Sequence, residues 1–175
     1  MPGVRNGRGR EAVLPDLLRP GLRLVFCGTA AGRRSAAVGQ YYAHPGNKFW
    51  RTLFAVGLTD RLLSPSDCRQ LSAYGIGLTD LSKSHQGMDH QLPSDALTAD
   101  RLTALVQCYR PAVLAFNGKA AAQVFLGRRD VDVGKMYWPG PTEIVVLPST
   151  SGAANKYWSI EPWQKLAVVM QQYSF

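Results

Sequence analysis

A chain of 175 residues has room for one domain with a substantial core, and its 46% hydrophobic and 18% charged content excludes wholesale disorder. Its 20 Lys and Arg against 12 Asp and Glu leave a net +8 and a pI near 9.7, a surplus that phosphate backbones would explain and that general solubility charge would also produce. The three cysteines, Cys27, Cys68 and Cys108, are widely spaced without a CxxC pair, which argues against a disulfide framework, a four-cysteine iron–sulfur cluster and a cysteine-rich zinc site.

Apolar neighbours make Cys27 and Cys108 expected buried thiols. No apolar run approaches the ~18 residues of a membrane span and no apolar signal core leads the chain, so the expected location is cytoplasmic. Residues 1–19 read as a basic lead-in, rich in Gly and Arg up to Arg10, that reaches the domain at 20–175 through the Pro20-Gly21 turn.

Leu22 to Cys27 is a short apolar run, a buried strand that stops at Gly28. From Gly28 to Trp50 there is no Asp or Glu, while Arg33, Arg34, Lys48 and Arg51 cluster there, so the expected ligand is anionic. Asn47 to Val56 carries Phe49, Trp50, Leu53 and Phe54 at helical spacing, with Gly57 as its stop. Ser66 is expected to cap a helix to about Tyr74. Gly75 to Leu81 is the second strand.

The loop Ser82 to Pro93 holds His85, Asp89 and His90, whose spacing suits solvated residues better than a metal site. Ser94 or Asp95 opens a helix to about Tyr109. Pro111 to Phe116 is the third strand and runs into Asn117, Gly118 and Lys119, after which Ala120 to Leu126 is helical. Arg128 to Pro141 has no clear pattern. Glu143 to Leu147 is the fourth strand, followed by Pro148 to Gly152 and by a helix from Ser159 to about Tyr173 with Glu161 in its first turn.

Strands alternating with helices imply an α/β fold: three αβα layers around a central, mostly parallel four-stranded sheet. Four polar clusters then gather at one edge: Gly28 to Arg34, Asp80 to Ser82, Asn117 to Lys119, and Ser149 to Ser151. A pocket at the carboxyl ends of the strands follows. No P-loop, GxGxxG, GxSxG or zinc-deaminase motif is present.

At these residues the chain resembles the uracil-DNA glycosylase superfamily. PGLRLVFCG followed by AHPGNKFW is similar to the mismatch-specific uracil/thymine-DNA glycosylases. GQYYAHPGNKFW, FNGK and LPSTSGAANKYW resemble the hypoxanthine (deoxyinosine) DNA glycosylase branch, and the likeness runs from about Pro20 to Trp158. The resemblance implies a monomeric hydrolase of base excision repair, without metal or organic cofactor. It would flip a deaminated base out of DNA and cleave its N-glycosidic bond, uracil first and hypoxanthine as the alternative.

By the same resemblance Gly28, Thr29 and Ala30 line the base pocket, Tyr42 stacks on the flipped base or else belongs to the core, and Ser149, Thr150 and Ser151 grip phosphates with Lys156 behind them. Arg33, Arg34 and Lys119 add positive charge for DNA. The chain departs from the mismatch-specific pattern at Ala30, where that family has the Asn that positions water; an alanine can do neither hydrogen bonding nor proton transfer.

Candidates to replace it are Asn47, which would otherwise be a helix cap, Asn117, at a strand end aimed at the same edge, and Asp80, which would otherwise cap a turn; His44 is a further catalytic candidate that would otherwise stabilise its loop. Asn117 is expected to read the base. Two rivals stay open: a non-catalytic binder of damaged or abasic DNA, and a nucleotide-handling enzyme of similar topology.

Overall fold

The computed structural model describes residues 13–83, 86–87 and 99–173. The metal-ligand residues considered at His85, Asp89 and His90, the helix start at Ser94 or Asp95, and the basic residues up to Arg10 lie outside the described residues.

Five strands form one sheet in the order β2-β1-β3-β5-β4. The strands β1 (Leu24–Gly28), β2 (Ile76–Asp80), β3 (Val113–Asn117) and β5 (Glu143–Leu147) are parallel, and β4 (Gly134–Met136) closes one edge antiparallel to β5. Parallel strands with helices on both faces are apolar on both sides, and this is why four of them were readable as unbroken apolar runs. β4 adds a fifth strand to the four expected. It lies in the unpatterned stretch from Arg128 to Pro141, and at three residues it offers no periodicity.

Alternate residues of β1 divide the core. Leu24 and Phe26 face one layer with Phe49 and Leu53 of α2 (Phe49–Ala55), Leu71 of the 3-10 helix Pro65–Tyr74, and Trp163 and Leu166 of α5 (Glu161–Gln171). Val25 and Cys27 face the other with Leu102 and Val106 of α3 (Asp100–Tyr109) and Phe125 of α4 (Lys119–Leu126). Beyond β2, Leu17 and Leu78 exchange backbone hydrogen bonds of 2.9 and 3.1 Å, which covers that edge.

Some details differ from expectation. A short helix α1 (Arg33–Val38) stands where no apolar period marks one. Ser64, not Ser66, caps the 3-10 helix, in a reciprocal box with Asp67 that accepts the Ser64 N–H at 2.9 Å; Pro65 fills the first helical position. Cys68 is buried and Cys108 exposed, because Leu102, Leu105 and Val106 define the inner face of α3 and Cys108 falls outside it. Among the described residues no helix is long and apolar enough to cross a membrane.

Candidate active site

The register of β1 with β2 sets Gly28 beside Asp80 at the carboxyl edge of the sheet. A Cβ on Gly28 would lie 2.8 Å from Asp80 Oδ1 and 3.4 Å from the Tyr42 hydroxyl, so only glycine lets these oxygens approach the strand end. Past Gly28 the chain is sewn to the continuation of β2: Leu81, Ser82 and Gly87 donate their N–H groups to the carbonyls of Gly28, Thr29 and Ala31 at 2.8, 2.7 and 2.9 Å. The loop carrying Thr29 and Ala30 is thereby fixed at the mouth of the edge.

Asn117 ends β3 with a fixed amide. Its Oδ1 accepts the Thr150 backbone N–H at 2.9 Å, and its Nδ2 donates to Thr150 Oγ1 at 2.8 Å. A backbone N–H can only donate, so the carbonyl side of the amide must face Thr150. One amide N–H is left over. Thr150, expected to contact phosphate, is 0% exposed, and its N–H and Oγ1 both serve Asn117.

Tyr42 stands between these strand ends. Its ring stacks on Phe49 with centroids 4.0 Å apart and 28° between planes, and Phe49 meets Phe26 edge-on at 5.3 Å. Phe26 in turn stacks on Trp163 at 5.5 Å, and the Trp163 indole donates to Pro148 O at 3.1 Å. One ring face of Tyr42 is thus occupied by the core, and a stacked base has only the other. Tyr42 has φ +52, a left-handed conformation that is unusual for an aromatic residue. Its hydroxyl is buried without a hydrogen-bond partner. Burial and the Asp80 charge push its pKa up, and the neighbouring Asn117 amide pulls it the other way.

Behind the edge lies a buried charge network that no local pattern announces. Lys83, 5% exposed, has its Nζ 3.7 Å from Asp80 Oδ2 and 3.3 Å from Asp16 Oδ1, and donates to the Tyr41 hydroxyl at 2.9 Å. Arg101 pairs with Asp16 Oδ2 at 2.6 Å and reaches Thr79 Oγ1 at 3.0 Å. Two carboxylates thus face two cations. Burial still raises the pKa of Asp80, helped by Asp16 and opposed by Lys83 and Arg101.

The outer loops meet through Lys48. Its N–H donates to Thr150 O at 2.9 Å, its Nζ bonds Asn155 Oδ1, and the same ammonium sits 5.2 Å from the Trp158 ring centroid. Asn47 spends its Oδ1 on the Phe49 N–H at 3.0 Å, the capping role that competed with catalysis in the sequence. His44 is exposed, and its Nδ1 accepts the Gly46 N–H at 2.9 Å, a local turn contact. The hydroxyl oxygens of Ser149 and Ser151 accept the N–H groups of Ser151 and Ala153. Arg33, Arg34, Lys119 and Lys156 are exposed.

The structure therefore draws together Gly28, Asp80, Tyr42, Asn117 and Thr150, and turns Asn47 and His44 toward their own backbone. Asp16, Lys83 and Arg101 join the site without having been foreseen. Among the described residues no group of three His, Cys, Asp or Glu could hold a metal ion.

The solution NMR structure of "a putative Uracil DNA glycosylase from Methanosarcina acetivorans" superposes with a TM-score of 0.63 at 22% identity, over 90% of this chain and 96% of that one. At that identity the likeness establishes the shared fold. The model of the Uracil DNA glycosylase superfamily matches residues 15–170, from the segment that covers β2 to the end of α5, so the strand ends described above sit inside the match and the chain belongs to that superfamily.

Proposed function

We propose that this chain is a monofunctional DNA glycosylase that removes a deaminated base, uracil first and hypoxanthine second. The observation that supports this reading is the orientation of Asn117: Thr150 fixes the amide through both its oxygen and its nitrogen, and one N–H is left over at the strand end. Deamination replaces the exocyclic amine of cytosine or adenine, a donor, with a carbonyl, an acceptor. An amide N–H left free at the pocket edge pairs with the second and not with the first, and a buried mismatch of that kind discriminates by up to ~10⁴–10⁵.

The same N–H stabilises departure. Breaking the glycosidic bond leaves electrons on the base, and they concentrate on the carbonyl oxygen that Asn117 would meet; a preorganised donor there lowers the barrier. Ala30 brings no group to water, so in this reading the rate rests on holding the leaving base. The exposed Arg33, Arg34, Lys119 and Lys156 supply the attraction to the phosphate backbone.

The test is base release from single- and double-stranded oligonucleotides carrying uracil, hypoxanthine, xanthine or a thymine mismatch. Release of uracil, and more slowly of hypoxanthine, with an alkali-labile site left behind is expected. Both oligonucleotides remaining uncut would overturn the proposal. Ala30 specifically favours one second reading, a non-catalytic binder of damaged or abasic DNA, which would bind tightly and salt-sensitively without releasing a base.

A further inference from the structure

The segment before β1 is fastened along its length. Val13 donates its N–H to Lys83 O at 2.7 Å, Leu14 is buried in the core, Leu17 exchanges hydrogen bonds with Leu78, and Arg19 donates to Ser72 Oγ and O at 2.6 and 2.7 Å. Between these fastenings the strap turns two groups inward. The Pro15 carbonyl accepts the Tyr41 hydroxyl at 2.8 Å, and the Asp16 carboxylate divides itself between Lys83 at 3.3 Å and Arg101 at 2.6 Å.

Both contacts lead on to the strand-end site. Lys83 Nζ, held by Asp16, stands 3.7 Å from Asp80 Oδ2 and donates to the Tyr41 hydroxyl at 2.9 Å, while Arg101 donates to the Asp80 backbone carbonyl and to Thr79 Oγ1. Tyr41 is pinned at its other end by the Trp50 indole, which donates to Tyr41 O at 3.1 Å. Tyr42 follows directly at φ +52, and a strained backbone persists only where its surroundings over-determine it. Two buried carboxylates facing two cations add little net stability, because desolvation offsets the attraction. What they add here is fixed position.

We infer that Asp16 is a positioning residue of the strand-end site: it fixes Lys83, and through Lys83 the place and charge of Asp80 and, by way of Tyr41, the seat of Tyr42. Its effect on rate rests on the glycosylase reading; its effect on Asp80 does not. The groups facing Asp80 are Lys83 beyond the end of β2, Asp16 of the strap, Arg101 of α3, Cys27 of β1, and Tyr41 and Tyr42. Burial holds the thiol and both phenols neutral, so the three charges decide how readily Asp80 ionises. Removing Asp16 leaves Asp80 two cations to itself and favours its ionised form; removing Arg101 does the reverse.

NMR titration of the Asp80 carboxyl carbon in the full chain is the first test: it should titrate about one pH unit lower in Asp16→Asn, and about one pH unit higher in Arg101→Gln, than in wild type. In single turnover at saturating protein, Asp16→Asn should release uracil about 10-fold more slowly, with a Kd for the uracil duplex within about threefold of wild type and the acid limb of the rate moved to lower pH. Arg19→Met, which unfastens the strap at Ser72 alone, should lose stability in urea yet keep the wild-type rate and limb.

An Asp80 titration unmoved in Asp16→Asn, a wild-type rate in that variant, or equal slowing by Arg19→Met would overturn the inference. If Asp16→Asn does not fold, Arg101→Gln decides: a raised Asp80 titration supports the inference and an unchanged one overturns it. If wild-type protein releases no base at all, the glycosylase reading fails separately, and the two titrations decide the role of Asp16 by the same outcomes.

Discussion

Gly28→Ala puts one methyl group into the centre of the site. Its carbon would lie 2.8 Å from Asp80 Oδ1, inside any tolerated contact, and 3.4 Å from the Tyr42 hydroxyl, where it would touch without clashing. The carboxylate must yield by a few tenths of an ångström, yet Asp80 is 3% exposed and its other oxygen faces Lys83. Relief by rotation is therefore restricted, and an overpacked buried site costs about 1–3 kcal/mol.

The groups displaced line the strand-end pocket proposed to hold the base, so the excision rate should fall about 10- to 100-fold, equivalent to about 1.4–2.7 kcal/mol of lost transition-state stabilisation. Single-turnover base release and urea unfolding, measured on the same preparation, give the two quantities. An alanine variant with both an unchanged unfolding midpoint and an unchanged excision rate would refute the close approach of Asp80 and Tyr42 to this strand end.

Thr150→Val keeps the backbone N–H that orients Asn117 and removes the Oγ1 acceptor; a loss of about 1–3 kcal/mol in urea unfolding is expected, with the preference for uracil over cytosine retained. The pKa of Asp80 is raised by burial first, so its stability contribution is complete below the unfolded-state value of about 3.9 and is lost as pH rises through the folded value. The difference in unfolding free energy between wild type and Asp80→Asn should therefore change across that interval, and a difference independent of pH would contradict the shift. Lys83→Met, which leaves Asp16 to Arg101 and removes the cation paired with the buried Asp80, should cost about 3–5 kcal/mol at neutral pH by the same unfolding assay. Lys48→Met should lower DNA affinity without changing its salt slope, since the ammonium is spent on Asn155 and Trp158, whereas Lys156→Met should reduce the slope by about 0.9.

What the sequence disclosed follows from the range of each interaction. β1, β2, β3 and β5 are contiguous apolar runs because both faces of a parallel sheet are covered, and the residues at which the first three stop, Gly28, Asp80 and Asn117, were legible as neighbours at one edge on that ground. The capping contact of Asn47 was legible as one of two options, and its Oδ1 accepts the N–H of Phe49. Thr150 looked like one of three equivalent hydroxyls, and only the approach of β3 to the segment after β5 sets it apart. The network behind Asp80 was hidden for the same reason: Asp16 and Arg101 are 85 residues apart and meet only once α3 packs against the sheet. α1 and β4 are too short to carry a hydrophobic period, and no local signal separated them from loop.

The most direct measurement of the central claim is single-turnover release of free base from a uracil-containing duplex, at saturating protein, by wild type and by Asn117→Ala. The account predicts free uracil and an abasic site from wild type, with a rate at least 100-fold lower in the variant. Wild-type protein that releases neither uracil nor hypoxanthine, or a variant as fast as wild type, would contradict it.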